Sequence, residues 1–375
     1  MEAAAERGLD YHFVVQKQHM QDFIVKCAEK VGCNDSNQAK SIARMLIYAD
    51  ERGHFSHGIN RLHIYLRDLQ TKTCKSNGCP KILKQKGATA LIDGDNALGS
   101  VVGEYCMNLA CKIANENGIG WISVNNSNHF GAAGRYGHIA ADKGLIGFAF
   151  TNTSPTTFPT RSAQKALGTN PISIVAPAEG GDKFALDMAT STVAFGKVEI
   201  AERKGKEFVP SGWGANEKGV EEVNPKIILQ RGGLLPLGGN EESGGYKGTG
   251  LCQMVEILCG IMAGGAFGKN VREWMGTAQK ADLGQCYIAV DPECFADGFS
   301  NRLQQFLDET RNLESIDSSL PVRCAGDFSK SHMILTEKVG GLVYHKSQIE
   351  YLQNISKEHE IPFFEVTNFK APKFE

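Results

Sequence analysis

Val124-Asn125-Asn126-Ser127-Asn128-His129-Phe130-Gly131-Ala132-Ala133-Gly134-Arg135-Tyr136-Gly137 follows a short apolar run at 120–124 and opens a segment of almost uniformly small residues. A strand that feeds a helix through a polar turn is the repeating unit of a layered α/β protein. The free N–H groups at the start of that helix could receive an anion or a carbonyl oxygen. The same small residues would equally serve close helix–sheet packing.

Working outward, residues 88–93 read as a strand ending in the turn Asp93-Gly94-Asp95-Asn96, and 103–117 as a helix closed by Gly118. The small-residue helix covers about 132–143. Strands are expected at 145–150, 172–175, 184–188 and 286–290, and helices at 192–202, 299–311 and 349–358. A Gly-rich helix over 248–266 is apolar on most sides, which predicts burial. Residues 18–69 read as helices, the second capped by Ser36, and 71–85 as a polar connection. The fold class is therefore α/β, with a mainly helical N-terminal part that packs with the C-terminal helix.

The chain has 375 residues, enough for one large domain or two to three modest ones with a real core. Lys and Arg number 40 against 42 Asp and Glu, a net charge of −2, which argues against a nucleic-acid binder. Apolar runs are too short for a membrane span. Met1 to Leu9 lacks the layout of a secretory or transit peptide, so a cytoplasmic protein is expected. The 11 cysteines include no C-x-x-C pair and are read as reduced thiols.

The chemistry begins with absences. There is no G-x-G-x-x-G after a strand, no G-x-x-x-x-G-K-[ST], no G-x-S-x-G and no H-E-x-x-H. Histidines do cluster: His54, His57 and His63 fall within eleven residues, with Ser56 beside His57 and Arg61 four positions on. On a helix His57 and Arg61 would share a face. An imidazole beside a guanidinium suits carbonyl or hydroxy-acid chemistry; the plain alternative is a surface His and Arg. Asp50 stands at helical spacing four residues before His54, but Gly53 interrupts the helix that would align them, so no metal is expected there. Polar loops after strands, Thr151-Asn152-Thr153-Ser154-Pro155, Gly168-Thr169-Asn170-Pro171, Asp187-Met188-Ala189-Thr190-Ser191 and Gly244-Gly245-Tyr246-Lys247-Gly248, could each offer donors to a phosphate-bearing cofactor or be ordinary turns.

Taken in order, Ser56-His57-Gly58 with Arg61, Asn128-His129-Phe130-Gly131, Gly168-Thr169-Asn170-Pro171, Leu186 to Ser191, Leu235-Pro236-Leu237-Gly238-Gly239 and Gly245-Tyr246-Lys247-Gly248 resemble the type-2 malate/L-lactate dehydrogenase family, which also holds sulfolactate and ureidoglycolate dehydrogenases. The likeness runs from about residue 18 to 360. It implies an NAD(P)-dependent oxidoreductase whose nicotinamide-binding domain is not of Rossmann type, and a homodimer with no nucleic-acid or membrane partner. Residues 86–314 would form the cofactor domain, and 1–85, completed by 315–375, the helical substrate and dimer domain. His129 would be the acid/base for the substrate oxygen, His57 would orient or share that task, and Arg61 with Ser56 would hold the carboxylate of a 2-hydroxy or 2-oxo acid. Asn152, Thr153, Gly168, Thr169, Asn170, Asp187, Met188 and Lys247 would line the cofactor site. Malate is the expected substrate; cyclic imino acids or keto sugar acids are the alternative. NAD is expected over NADP, for which Arg161-Ser162 would have to supply a 2′-phosphate contact. Two positions depart from the family pattern: Asn216 and Asn224 stand where Asp is usual.

Overall fold

The computed structural model describes residues 10–372. Its first layer is helical. Strand β1 (Phe13–Val15) leads into α1 (Lys17–Lys30), α2 (Ser36–Glu51) and α3 (Leu62–Gln70). On α2 the three- and four-residue spacing of Ala39, Ile42, Ala43 and Leu46 makes one buried face, which packs with Phe23 and Ile24 of α1 and Leu62 of α3. The cap of α2 is Asp35, whose Oδ1 accepts the N–H groups of Asn37 at 2.8 Å and Gln38 at 3.4 Å. This corrects the expectation of Ser36, which is the first helical residue. The carboxylate also complements the helix dipole, which a hydroxyl would not.

The second layer is a sheet. Strands β2 (Lys81–Lys86) and β3 (Thr89–Asp93) precede α4 (Gly99–Asn117), β4 (Ile119–Ser127), α5 (Gly134–Ala141), β5 (Ile146–Thr151), β6 (Ile172–Pro177) and β7 (Lys183–Met188). Helix α6 (Phe195–Arg203) is followed by a small sheet of β8 (Gly214–Ala215), β9 (Glu221–Glu222) and β10 (Gly233–Leu234), with α7 (Pro225–Gln230) before its last strand. Then come α8 (Gly245–Glu256) and β11 (Leu283–Val290). The main sheet runs β2-β3-β4-β11-β5-β6-β7. Only β3 and β4 pair in parallel; every other neighbour is antiparallel. It is not the all-parallel sheet that successive βαβ crossovers build.

Strand β11 shows why the middle of the sheet reads as continuously apolar. Tyr287 and Ala289 pack among residues of α4 and α5, while Cys286 and Ile288 pack against Val255 of α8 and Cys259 in the π-helical turn Ile257–Ile261 that extends it. Two corrections follow. Residues 81–86 are not a connection but an edge strand, exposed throughout; its three lysines, suited to guarding an edge, hid it. Helix 248–266 is not buried on most sides, because Met254, Ile257 and Ile261 leave an apolar stripe exposed. At the departures Asn216 and Asn224, the side-chain oxygens accept the N–H groups of Lys218 and Lys226, a task Asp performs equally.

The chain closes with α9 (Phe299–Arg311), α10 (Asp327–Lys338), β12 (Leu342–Tyr344), α11 (Lys346–Glu358) and β13 (Thr367–Asn368). Strands β12 and β13 flank β1, and Leu342, Tyr344, Ile349, Leu352 and Ile355 complete the N-terminal helical core. Helix α10 went unread, because only His332, Leu335 and Thr336 of its twelve residues are buried.

Candidate active site

Register decides where the chemistry gathers. Leu283 pairs with Ser127, Gln285 with Thr151, and Ile172 with both Phe150 and Met188. The segments that carry His129, Thr153, Gly168 to Asn170 and Met188 therefore all leave the sheet at one end. His129 lies two residues past β4. Its neighbour Asn128 is fixed by its side-chain amide, which donates to the Ala97 carbonyl at 2.8 Å, and by its own carbonyl, which accepts from Gln285 at 2.9 Å. Gly131 is required by its φ of 76° and by space, since a Cβ there would lie 2.5 Å from Met45 Cγ.

The other half comes from the turn after α2. Residues 52–58 are turns and 59–61 a single 3₁₀ turn, so His57 and Arg61 do not share a helix face as the spacing predicted. They meet because Arg61 Nε donates to the Ser56 carbonyl at 2.6 Å, while Ser56 Oγ bonds His57 Nδ1 at 2.9 Å. The turn is held from beneath by the buried carboxylate of Asp50, which accepts from Ile59 N–H and from the Tyr344 hydroxyl. His54 instead bonds Ser329, so Asp50 and His54 serve separate partners.

Ser56, His57, Arg61 and His129 are thus assembled. The rings of His57 and His129 stack with centroids 5.9 Å apart and planes 16° from parallel. Trp274 lies 5.3 Å from the His129 ring and 5.7 Å from the Arg61 guanidinium. Sequence reasoning missed Trp274, which no local pattern marks, and Glu199, whose carboxylate reaches Arg61 Nη2 at 3.4 Å. It also missed Tyr65, whose hydroxyl bonds His129 Nδ1 at 2.6 Å. Here a signal existed, because Tyr65 stands four residues after Arg61 at the start of a helix.

Both rings keep Nδ1 engaged, and among the described residues Nε2 of neither makes a hydrogen bond. Burial, followed by the His57, Arg61 and Arg272 charges, pushes His129 down to about 3; burial and Arg61 push His57 down to about 4. At neutral pH both are uncharged. The Tyr65 hydroxyl can give or take a proton at His129 Nδ1, so Nε2 can present either a proton or a lone pair. The Gly131 N–H, 3.4 Å from Nδ1, can only donate and so favours a proton on Nε2, the form that meets a carbonyl oxygen. Tyr65→Phe removes the stronger Nδ1 partner; we expect turnover to fall about tenfold, the equivalent of one hydrogen bond of about 1.4 kcal/mol, with nucleotide binding unchanged. Equal turnover of variant and parent would remove Tyr65 from this role.

The remaining predicted residues fall into two groups. Asn152 and Asn170 are wholly buried and direct their amides at the Glu256 carboxylate, at 3.2 and 2.9 Å; Gly268 N–H adds a third donor. Thr153 and Thr169 lie above them, with Thr153 Oγ1 accepting the Thr169 N–H at 2.9 Å. At Gly168 a Cβ would stand 2.1 Å from that same Oγ1. Lys247 is exposed on the first turn of α8. Asp187 is elsewhere, accepting the Gly134 N–H at 2.8 Å, so the anion at the start of α5 is the protein's own. Together with Gly137, where a Cβ would lie 2.6 Å from Val175, this assigns the small residues of 131–137 to close packing. Burial raises Asp187 to about 6.

Asp187 also borders a cleft of about 320 Å³ whose walls include Tyr48, Arg52, His138, Lys183 and Lys330. Neither His57 nor His129 lines it. Arg161 does not line this cleft and pairs with Glu241 at 2.7 Å.

Two uncharged imidazoles beside a guanidinium have the chemistry to exchange a proton with a substrate that bears a carboxylate. Residues 15–353 match the malate/L-lactate dehydrogenase family. The malate dehydrogenase of Pyrococcus abyssi is 39% identical over 312 residues, 82% of this chain and 85% of its own length. The malate/(S)-sulfolactate dehydrogenase of Methanothermus fervidus is 33% identical over 350 residues, 93% and 98% of the two chains. The structure of malate dehydrogenase from Pyrococcus horikoshii OT3 superposes with a TM-score of 0.85 at 34% identity, covering 94% of this chain and 97% of that one. The chain belongs to the malate/L-lactate dehydrogenase family and is an oxidoreductase acting on a CH–OH group.

Proposed function

We propose that the protein interconverts malate and oxaloacetate with NAD. The observation that carries this reading is the stacked, uncharged His57–His129 pair beside Arg61, in a chain whose relatives include malate dehydrogenases. The cleft beside Asp187, whose wall carries Arg52, Lys183 and Lys330, would receive the phosphates of a dinucleotide, and the nicotinamide would have to extend beyond that wall to reach Arg61 and His129, which lie outside it. A bound nicotinamide would supply hydride chemistry at C2 of the substrate.

The chain's own residues do the rest. Arg61 holds the substrate carboxylate, and Ser56, through His57, fixes that ring beside it. His129 Nε2 passes a proton to or from the substrate oxygen, steadied by Tyr65. A bound dicarboxylate places negative charge beside the ring and raises its pKa. Trp274 covers both groups and keeps water from them. Asp187 in the cleft would repel a 2′-phosphate, which supports NAD over NADP.

A homodimer belongs to the same proposal, supported by the exposed Met254, Ile257 and Ile261 stripe on α8 and its π-helical extension. The eleven free thiols support a cytoplasmic setting.

The test is the consumption of NADH and NADPH with oxaloacetate, pyruvate and a cyclic imino acid. Fast oxidation of NADH by oxaloacetate is expected; turnover of the imine alone would overturn the substrate. The pH profile supplies a second check. Malate oxidation needs a neutral ring, so kcat/KM should stay level from pH ~8 to ~5.5, because His57 and His129 take up protons only near 4 and 3. A fall centred near 6.5 would take control of the rate away from these two rings and give it to a buried carboxylate, Asp187 raised to about 6 or Asp50 raised to about 7, or to an ordinary exposed imidazole.

A further inference from the structure

The guanidinium that would hold the substrate carboxylate already faces a carboxylate of the protein. Arg61 Nε is taken by the Ser56 carbonyl at 2.6 Å, so a second carboxylate can be gripped by two N–H groups only end-on, through Nη1 and Nη2. Glu199 stands at that edge, its Oε2 3.4 Å from Arg61 Nη2. Nη1 makes no hydrogen bond among the described residues.

Helix α6 delivers this carboxylate. Gly196, Glu199 and Arg203 succeed one another at three- and four-residue steps and so line one face of α6. Glycine at 196 eases the approach of that face: a Cβ there would lie 3.0 Å from Ser56 Cβ and 3.3 Å from Arg61 Nη2, tighter than ordinary contact. From the other side Arg203 Nη2 comes within 3.9 Å of the same Glu199 Oε2. One oxygen therefore stands between two guanidiniums and is settled on neither, since a charge-assisted pair closes to about 2.8 Å. The side chains of Arg61, Glu199 and Arg203 are 14%, 26% and 66% exposed, so the way from Arg61 to Arg203 runs outward.

We propose that Glu199 is a built-in competitor for the carboxylate site of Arg61, and that a substrate carboxylate displaces it toward Arg203. The inference rests on the reading of Arg61 as the holder of the substrate carboxylate. A fixed negative charge at the guanidinium weakens the binding of every anion there. A ligand that makes further contacts, as a 2-oxo oxygen does at His129, still binds; an inorganic anion that has Arg61 alone is held too weakly to fill the site. Glu199 is thus a specificity-determining residue that acts by repulsion. Arg203, four residues on along the same helix, receives the displaced carboxylate by a side-chain rotation, with no movement of the backbone.

The experiment uses the full chain with saturating reduced nucleotide. Initial rates are measured with whichever of oxaloacetate, pyruvate and the cyclic imino acid is reduced fastest, since each carries a carboxylate, and sulfate is the inorganic probe. Glu199→Gln keeps the shape and removes the charge. Its KM should fall by about fivefold, the upper range for a partly exposed ion pair, with a smaller change in kcat, and sulfate should inhibit at about fivefold lower concentration. Arg203→Gln should raise KM in the parent by more than in Glu199→Gln, a coupling that a merely structural role for either residue would not produce; equal effects in both backgrounds would overturn the exchange with Arg203. Arg61→Lys, which loses the end-on fork, should raise KM by about tenfold or more. An unchanged or raised KM in Glu199→Gln, beside a raised KM in Arg61→Lys, would overturn the competitor and leave Arg61 as the carboxylate holder. An unchanged KM in Arg61→Lys would overturn both.

Discussion

His129→Ala should cut turnover by about 10²- to 10⁴-fold, the usual contribution of a positioned acid/base, while nucleotide binding stays close to that of the parent. The separation of the two effects is the informative part. His129 follows β4 and is pinned through Asn128 to Ala97 and Gln285, so losing its ring leaves the backbone path intact. The space left is bordered by His57, Tyr65 and Trp274. Stopped-flow turnover with oxaloacetate, set beside fluorescence titration with NADH, checks it. Equal loss of both, or of neither, would end the assignment of His129 as the group that handles the substrate proton. His57→Ala should cost less, because His57 reaches the substrate region partly through its stacking on His129.

Gly58→Ala should be the most damaging single methyl group near the site. A Cβ at Gly58 would lie 1.7 Å from Asp50 Oδ1 and 2.3 Å from its Cγ. Asp50 cannot swing aside at little cost: it is 1% exposed and its Oδ2 accepts from Ile59 N–H at 3.0 Å and the Tyr344 hydroxyl at 2.8 Å. Overpacking of about 1–3 kcal/mol then adds to the cost of a buried hydrogen bond lost, also about 1–3 kcal/mol, giving a destabilisation of about 3 kcal/mol or more. Ser56, His57 and Arg61 all stand on this turn, so activity should fall further than the folded fraction does. Urea unfolding of parent and variant measures the first effect, and turnover per folded molecule the second. A midpoint equal to the parent's would mean that Asp50 has freedom its contacts do not suggest.

Much of this was present in the order of residues. Strands 88–93 and 184–188 and helix 299–311 follow from short-range periodicity, since a strand or helix that buries one face must repeat its apolar residues at two or at three to four. The local chemistry of Ser56, His57 and Arg61, and of His129 after its strand, was legible for the same reason: each motif is confined to a few neighbouring residues. Edge strand β2 was not, because an edge that resists pairing is built from the lysines that mark a loop. Helix α10 was not, because so little of it is buried.

The sequence by itself determined which side chains could carry the chemistry and that the chain would layer strands with helices. What only the tertiary structure decided is which of them meet. The 5.9 Å stacking of His57 on His129 depends on how α2 docks against α4 and α5. The burial that keeps His129 uncharged depends on Trp274 and Tyr65 closing over it from separate segments. Asn152 and Asn170 turn inward because Glu256, far along the chain, places a buried carboxylate beneath them. Such long-range meetings are set by strand register and packing, which depend on the whole fold at once, whereas periodicity and spacing report only what a residue's near neighbours require.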